Sequence, residues 1–194
     1  MRIGVLALQG AFIEHEKVLQ NLGVETQQVR LSQHLNGLDG LIIPGGESTT
    51  MAKLALDFGL FPDLQTFATE HPVWGTCAGA ILLAKDGQNN PARLGLMDIH
   101  IQRNAFGRQI DSFQVDLRVP ALDHLNGSQM TFPAVFIRAP IINSVGKEVE
   151  ILAQLESEKI VAGRQGHWLA TVFHPELTSD NRFHRYFLEM ISSK

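Results

Sequence analysis

The sequence predicts a three-layer α/β domain whose sheet is mostly parallel, with added antiparallel strands. Three observations carry that expectation. In the first half, short apolar runs rich in β-branched residues alternate with amphipathic stretches at the spacing of βαβ units. In the second half the pattern changes: Phe113, Val115, Leu117 and Val119 alternate with Gln114, Asp116 and Arg118, as in a strand with one wet face. The length of 194 residues, 44% hydrophobic and 19% charged, is enough for a sizeable core and for one domain.

Taken in order, residues 2–8 are an apolar run ending at Gln9-Gly10, a buried strand and its turn. Residues 12–22 place Ile13, Val18, Leu19 and Leu22 on one helical face, and Gly23 is positioned to end that helix. Strands are expected at 24–30 and at 40–43, the second running into Pro44-Gly45-Gly46. Ser48 and Thr49 are the expected caps of a helix through Leu56, and 62–70 supply another helical piece. Residues 73–76 form a strand that leads directly into Cys77 and an Ala/Leu-rich helix. Further strands are expected at 134–137, 149–155, 160–162 and 169–173, and 120–133, with its Asn126-Gly127-Ser128, as a loop excursion. The chain closes on a helix with Phe183, Phe187, Met190 and Ile191 on one face.

Composition excludes several classes of function. Sixteen Lys and Arg against twenty Asp and Glu give a net charge of −4, with no basic footprint for nucleic acid. The longest apolar runs, 40–44 and 78–84, are too short to span a bilayer, and the first residues lack the pattern of a signal peptide. A single cysteine cannot form an internal disulfide, so a reducing, cytoplasmic setting is expected. No His-Glu-x-x-His occurs, and one cysteine is a poor start for a zinc site, so no metal is expected.

The strongest chemical signal is Gly75-Thr76-Cys77-Ala78-Gly79 between an expected strand and an expected helix. So sharp a turn strains its central residue and exposes it, while glycines let backbone pass closely. The thiol would sit at a helix N-terminus, which favours thiolate, with the Ala78 N–H aimed at an oxyanion. A cysteine nucleophile needs a base and an orienting group. Of eight histidines, His174 follows an expected strand and begins His174-Pro175-Glu176. Residues two apart in an extended segment share a face, so Glu176 can hold the imidazole while its other nitrogen meets Cys77. His15, His34, His71 and His100 are assigned to the surface or to local hydrogen bonds.

Pro44-Gly45-Gly46-Glu47-Ser48-Thr49-Thr50 lies at the end of a buried strand, where open α/β sheets bind ligands. Its glycines allow a second backbone donor, from Gly46, to reach the oxyanion. It lacks the Gly-Lys-Ser/Thr ending of a phosphate loop. Arg103 and Arg138 offer guanidinium groups for a substrate carboxylate, although such arginines are as often plain surface residues.

Together the cysteine elbow and His174-Pro175-Glu176 resemble the class I (triad) glutamine amidotransferases. The segments 6–10, 44–50, 103–113 and 136–140 resemble one subfamily, the glutaminase subunits of pyridoxal 5′-phosphate synthase. The resemblance implies a flavodoxin-like fold over residues 1–194 as one glutaminase domain. It implies hydrolysis of L-glutamine to L-glutamate and ammonia with Cys77 as nucleophile, His174 as base and Glu176 as orienting acid. By the same resemblance Gly46, Glu47, Ser48, Arg103, Ile137 and Arg138 would line the glutamine site, with no cofactor. Ammonia would pass to a barrel-shaped synthase subunit. Segments 120–133 and 156–168 depart from the family pattern but carry no motif residue. A glutaminase serving another synthase, or a redox-sensing relative without catalysis, are the alternatives.

Overall fold

A computed structural model describes residues 1–85, 93–103, 112–125, 131–155 and 158–193. Its first half runs β1 (Arg2–Leu6), α1 (Phe12–Asn21), β2 (Glu25–Val29), β3 (Gly40–Ile43), α2 (Ser48–Asp57), α3 (Phe61–Glu70), β4 (Val73–Thr76) and α4 (Ala78–Leu83). The second half holds β5 (Ile99–Gln102), β6 (Ser112–Arg118), β7 (Thr131–Ile137), β8 (Ile141–Val145), β9 (Glu150–Gln154), β10 (Ile160–Gln165), β11 (Trp168–Thr171) and α5 (Arg182–Ser192).

Nine of the described strands form one mixed sheet, ordered β2-β1-β3-β4-β11-β10-β8-β5, with β9 pairing on β10. The pairs from β2 to β11 are parallel and those beyond β11 are antiparallel. The parallel part repeats the flavodoxin-like order in which chain reversal opens a crevice at the carboxyl ends of the strands. β3 and β4 are buried along their whole length, as strands covered by helices on both faces must be. The alternating 113–119 segment pairs with β7 as a separate two-stranded ribbon, Phe113 stacked on Phe136.

Several expectations need correction. Ile13 is 47% exposed, and α1 buries His15 and Leu19 instead. The α2 cap is Glu47 rather than Ser48 or Thr49: its carboxylate accepts from the N–H groups of Thr49 and Thr50. Within the loop expected at 120–133, the described residues form a 3₁₀ helix at Pro120–Leu125, and β7 begins at Thr131. β5 and β8 are strands that the sequence pattern does not announce. Neither has a long alternating run; β5 gains its strand character by pairing with β8, and β8 by pairing with β5 and β10. Among the described residues, no helix is long and apolar enough to cross a membrane.

Candidate active site

Three chain segments leave the carboxyl ends of adjacent strands β3, β4 and β11 and meet. Parallel register brings Ile43 beside Gly75 and Thr171 beside Thr76, so the segments beginning at Pro44, Cys77 and Val172 share one end of the sheet. Two backbone bonds fix the reacting parts: Cys77 N–H donates to Thr171 C=O at 2.8 Å, and His174 N–H to Val135 C=O at 2.8 Å.

Cys77 has φ 46° and ψ −101°, a strained conformation for a residue with a side chain. The elbow is held in that state by contacts that only glycine allows. A Cβ on Gly79 would strike the carbonyl of Ile43, and one on Gly75 would strike the backbone of Gly79. The thiol is 7% exposed. Ala78 opens α4, so its N–H belongs to the first turn, whose donors have no helical acceptor.

His174 is buried and bonds Glu176 Oε1 through Nδ1 at 2.6 Å. Burial alone would push the imidazole down, but its hydrogen bonds to the Cys77 sulfur and to Glu176 outweigh that and hold it up to about 10. These two contacts favour the imidazolium, with Glu176 orienting the ring through Nδ1 and Nε2 left for the sulfur. The ring also packs on the glycine turn, since a Cβ on Gly45 would meet His174 Cε1 and lie 3.2 Å from Cys77 Cβ.

The Gly45-Gly46 turn is tied to the loop after β1. Gly45 C=O accepts from Ala11 N–H at 3.0 Å, and Glu47 N–H donates to Gln9 Oε1 at 2.7 Å. Because the peptide is trans, Gly46 N–H points away from the Ala11 side. Gly10 sits at φ 99°, where an added Cβ would collide with the Gly45 carbonyl. Gly10→Ala is thus expected to tilt this turn and lower glutamate release about tenfold or more, part of what a full donor loss costs. Steady-state assay beside a melting curve checks this. Unchanged turnover in a folded variant would show that the turn does not depend on Gly10.

A cavity of about 160 Å³ opens over Cys77 and is lined by Gly46, Glu47, Ser48, Ala78, Arg103 and Arg138, with Ile81 and Pro140. Of the residues expected to hold substrate, Ile137 does not line it and is 40% exposed. Arg103 Nη2 reaches Ser48 Oγ, Thr49 Oγ1 at 3.2 Å and Glu47 Oε1 at 3.7 Å. The Thr50 hydroxyl and the Thr50 and Thr49 amides hold the Glu47 carboxyl down to about 2, so it stays anionic at the rim. Arg138 adopts φ 43°, a second strained residue facing this space. The rest of the arginine motif, 104–111, lies outside the described residues. A larger hollow, about 470 Å³ between the Ser32–Leu35 turn and α3, holds none of these groups, so size does not select the site.

Sequence reasoning missed two buried histidines behind the triad. His15 and His184 are fully buried, which corrects the assignment of His15 to the surface or to local hydrogen bonds, since its partners Thr76 and His184 are distant in the chain. A polar residue at an apolar helical position is the signal that could have found them. Among the described residues no cluster suited to a metal ion occurs.

Comparison with known proteins places this geometry. The model of the SNO glutamine amidotransferase family matches residues 5–193. The chain is 58% identical to the pyridoxal 5′-phosphate synthase subunit PdxT of Herpetosiphon aurantiacus, covering 97% of this chain and 99% of that protein. It is 56% identical to the protein of the same name from Pelotomaculum thermopropionicum, covering 97% and 94%. A crystal structure of a glutamine amidotransferase superposes with TM-score 0.89 at 48% identity, over 98% of each chain. A chain of PurLQS from Thermotoga maritima shares the fold, with TM-score 0.71 at 18% identity over 97% of each chain.

Proposed function

The chain belongs to the SNO glutamine amidotransferase family, and from that premise we propose that residues 1–194 act as one glutaminase domain, hydrolysing L-glutamine to L-glutamate and ammonia. The observation that carries this is the strained, buried Cys77 next to a His174 whose Nδ1 is fixed by Glu176. Cys77 Sγ attacks the carboxamide carbon, and the resulting oxyanion is received by the N–H groups of Gly46 and Ala78. His174 then delivers its proton to the amide nitrogen, the C–N bond breaks, and ammonia leaves a thioester. Water attacks the thioester while His174 takes its proton, which frees glutamate and restores the starting enzyme. No step uses a cofactor.

Anionic Glu47 suits the α-ammonium of glutamine, and Arg103 and Arg138 suit its α-carboxylate. Ser48 and Gly46 border the carboxamide, and Ile137 supplies apolar cover at the rim. Iodoacetamide should alkylate Cys77, and glutamine should protect it. Alkylation of another site with activity intact would remove the assignment.

The name these relatives share, pyridoxal 5′-phosphate synthase subunit, supports a role in pyridoxal 5′-phosphate (vitamin B6) synthesis. The ammonia is delivered to a barrel-shaped synthase partner in the cytoplasm, where a lone thiol stays reduced. Partner control follows from the ties between Gln9, Ala11 and the glycine turn. A protein docking on Gln9-Gly10 pulls on both bonds that orient the Gly46 peptide. Without that hold the glycine peptide can turn its N–H away, so glutamate release is expected to rise with saturating synthase, by at most about the hundredfold to thousandfold value of one oxyanion donor. Equal initial rates with and without the synthase would refute this.

A further inference from the structure

We propose that His15 is a positioning residue for the glutaminase reaction: through Nε2–H it holds the outer oxygen of Glu176, and His184 fixes the tautomer that makes this possible. The inference rests on the triad assigned above and adds two residues that do not touch substrate. The placement is direct. Glu176 gives Oε1 to His174, and its Oε2 lies 3.3 Å from His15 Nε2, both side chains fully buried. His15 Nε2 is also 3.3 Å from Thr76 Oγ1, and His15 Nδ1 is 3.0 Å from His184 Nε2. The chain of contacts thus runs from Cys77 through His174, Glu176 and His15 to His184, on α1 and α5 behind the sheet.

The proton positions follow from which atoms can accept. Burial pushes His15 well down and His184 to about 3, so both rings are neutral. A bare Nε2 on His15 would set a lone pair against a carboxylate oxygen 3.3 Å away, so this nitrogen carries the hydrogen. Its Nδ1 is then an acceptor, and His184 must donate to it from Nε2. That leaves His184 Nδ1 as a bare lone pair, and it is the buried ring nitrogen without a partner. The opposite arrangement turns the His15 Nε2 lone pair toward the carboxylate oxygen and leaves a buried N–H on His184 unsatisfied, the costlier fault. The His15 N–H lines up better with Thr76 Oγ1, since Glu176 Oε2 has no aligned hydrogen bond. The hold on Oε2 is therefore a shared, mainly electrostatic one. Trp74 packs edge-on to both imidazoles, with centroids 5.6 Å and 4.9 Å away, and keeps the rings from turning.

A carboxylate bonded at Oε1 and drawn at Oε2 by the His15 N–H is hindered from turning away from His174, so losing His15 should slow turnover and leave substrate binding alone. His15→Phe keeps the ring and removes the donor. In complex with saturating synthase, its kcat is expected to fall about three- to tenfold, the value of a weak, shared contact rather than a full charged hydrogen bond, with KM for glutamine unchanged. His15→Gln puts an amide donor near the old Nε2 and is expected to recover most of that loss. A folded His15→Phe with full kcat, or Gln and Phe variants equally impaired, overturns the inference. If His15→Phe does not fold, the wild-type full chain decides. Nitrogen-15 spectra should show His15 and His184 neutral and protonated on Nε2, and an Nδ1–H His15 overturns it. A Cys77→Ala control separates the two readings. An inert control beside a fully active His15→Phe removes this inference alone, whereas an active control removes the triad.

Discussion

Cys77→Ala is expected to lower glutamate release by a factor on the order of 10⁴ to 10⁶, the scale seen when a covalent nucleophile is lost and only binding and the oxyanion donors remain. The reason is specific to this elbow. Cys77 alone occupies the point where φ 46° aims a side chain into the cavity between His174 and the Ala78 N–H. The imidazole sits against it from behind, so no water is placed there to replace the sulfur as nucleophile on an amide. The fold should survive, because alanine keeps the Cβ that packs near Gly45 and the backbone bond to Thr171 is unaffected. Glutamate release with saturating synthase, read beside a melting curve, is the measurement. A folded variant with turnover within tenfold of wild type would sink the covalent route.

Glu176→Gln is expected to cost about 10³ to 10⁴ in kcat with KM little changed, as for the acid of a comparable triad. The carboxamide can still accept from His174 Nδ1 through its oxygen. It then presents an N–H group to His15 Nε2–H, donor against donor, where the carboxylate presented an acceptor 3.3 Å away. It also removes the negative charge that favours the imidazolium. That charge has a second readout. The His174 imidazole is raised in the folded state to about 10, against an ordinary value of 6.5. A raised group of this kind stabilises the fold fully below 6.5, and that contribution is lost as pH rises through about 10. Glu176→Gln brings His174 back down, so melting temperature should fall less between those pH values than in wild type. A change confined to KM would make Glu176 a substrate ligand instead, and an unaltered alkaline slope would deny its charge a part in holding His174.

Much of the catalytic centre was legible in the sequence because it is locally encoded. Gly75 and Gly79 bracket Cys77 within a single strand-to-helix turn, and the structure shows each glycine occupied from outside by backbone that a Cβ would strike. His174 and Glu176 are two residues apart, and that spacing alone lets Nδ1 meet Oε1 at 2.6 Å. The parallel strands were legible for a similar reason: β3 and β4 are apolar throughout because both faces are covered.

What the sequence could not settle depends on which face of an element meets which distant partner. The spacing of α1 allowed either Ile13 or His15 to turn inward. Hydropathy favours Ile13, yet the inward residue is His15, because His184, 169 positions along the chain, and Glu176 provide polar partners there. β5 and β8 likewise become strands only by pairing with distant segments, β5 with β8 and β8 with β10 as well. Glu47 outcompeted Ser48 and Thr49 as the α2 cap, since its longer side chain folds back to accept from two amides and one hydroxyl at once. Short-range spacing and glycine sterics were enough to mark out the cysteine elbow, the His174–Glu176 pair and the parallel frame. Tertiary structure alone decided the buried histidine pair and the grip of Gln9 and Ala11 on the glycine turn, because a hydrogen bond between distant segments exists only once packing has excluded water from both.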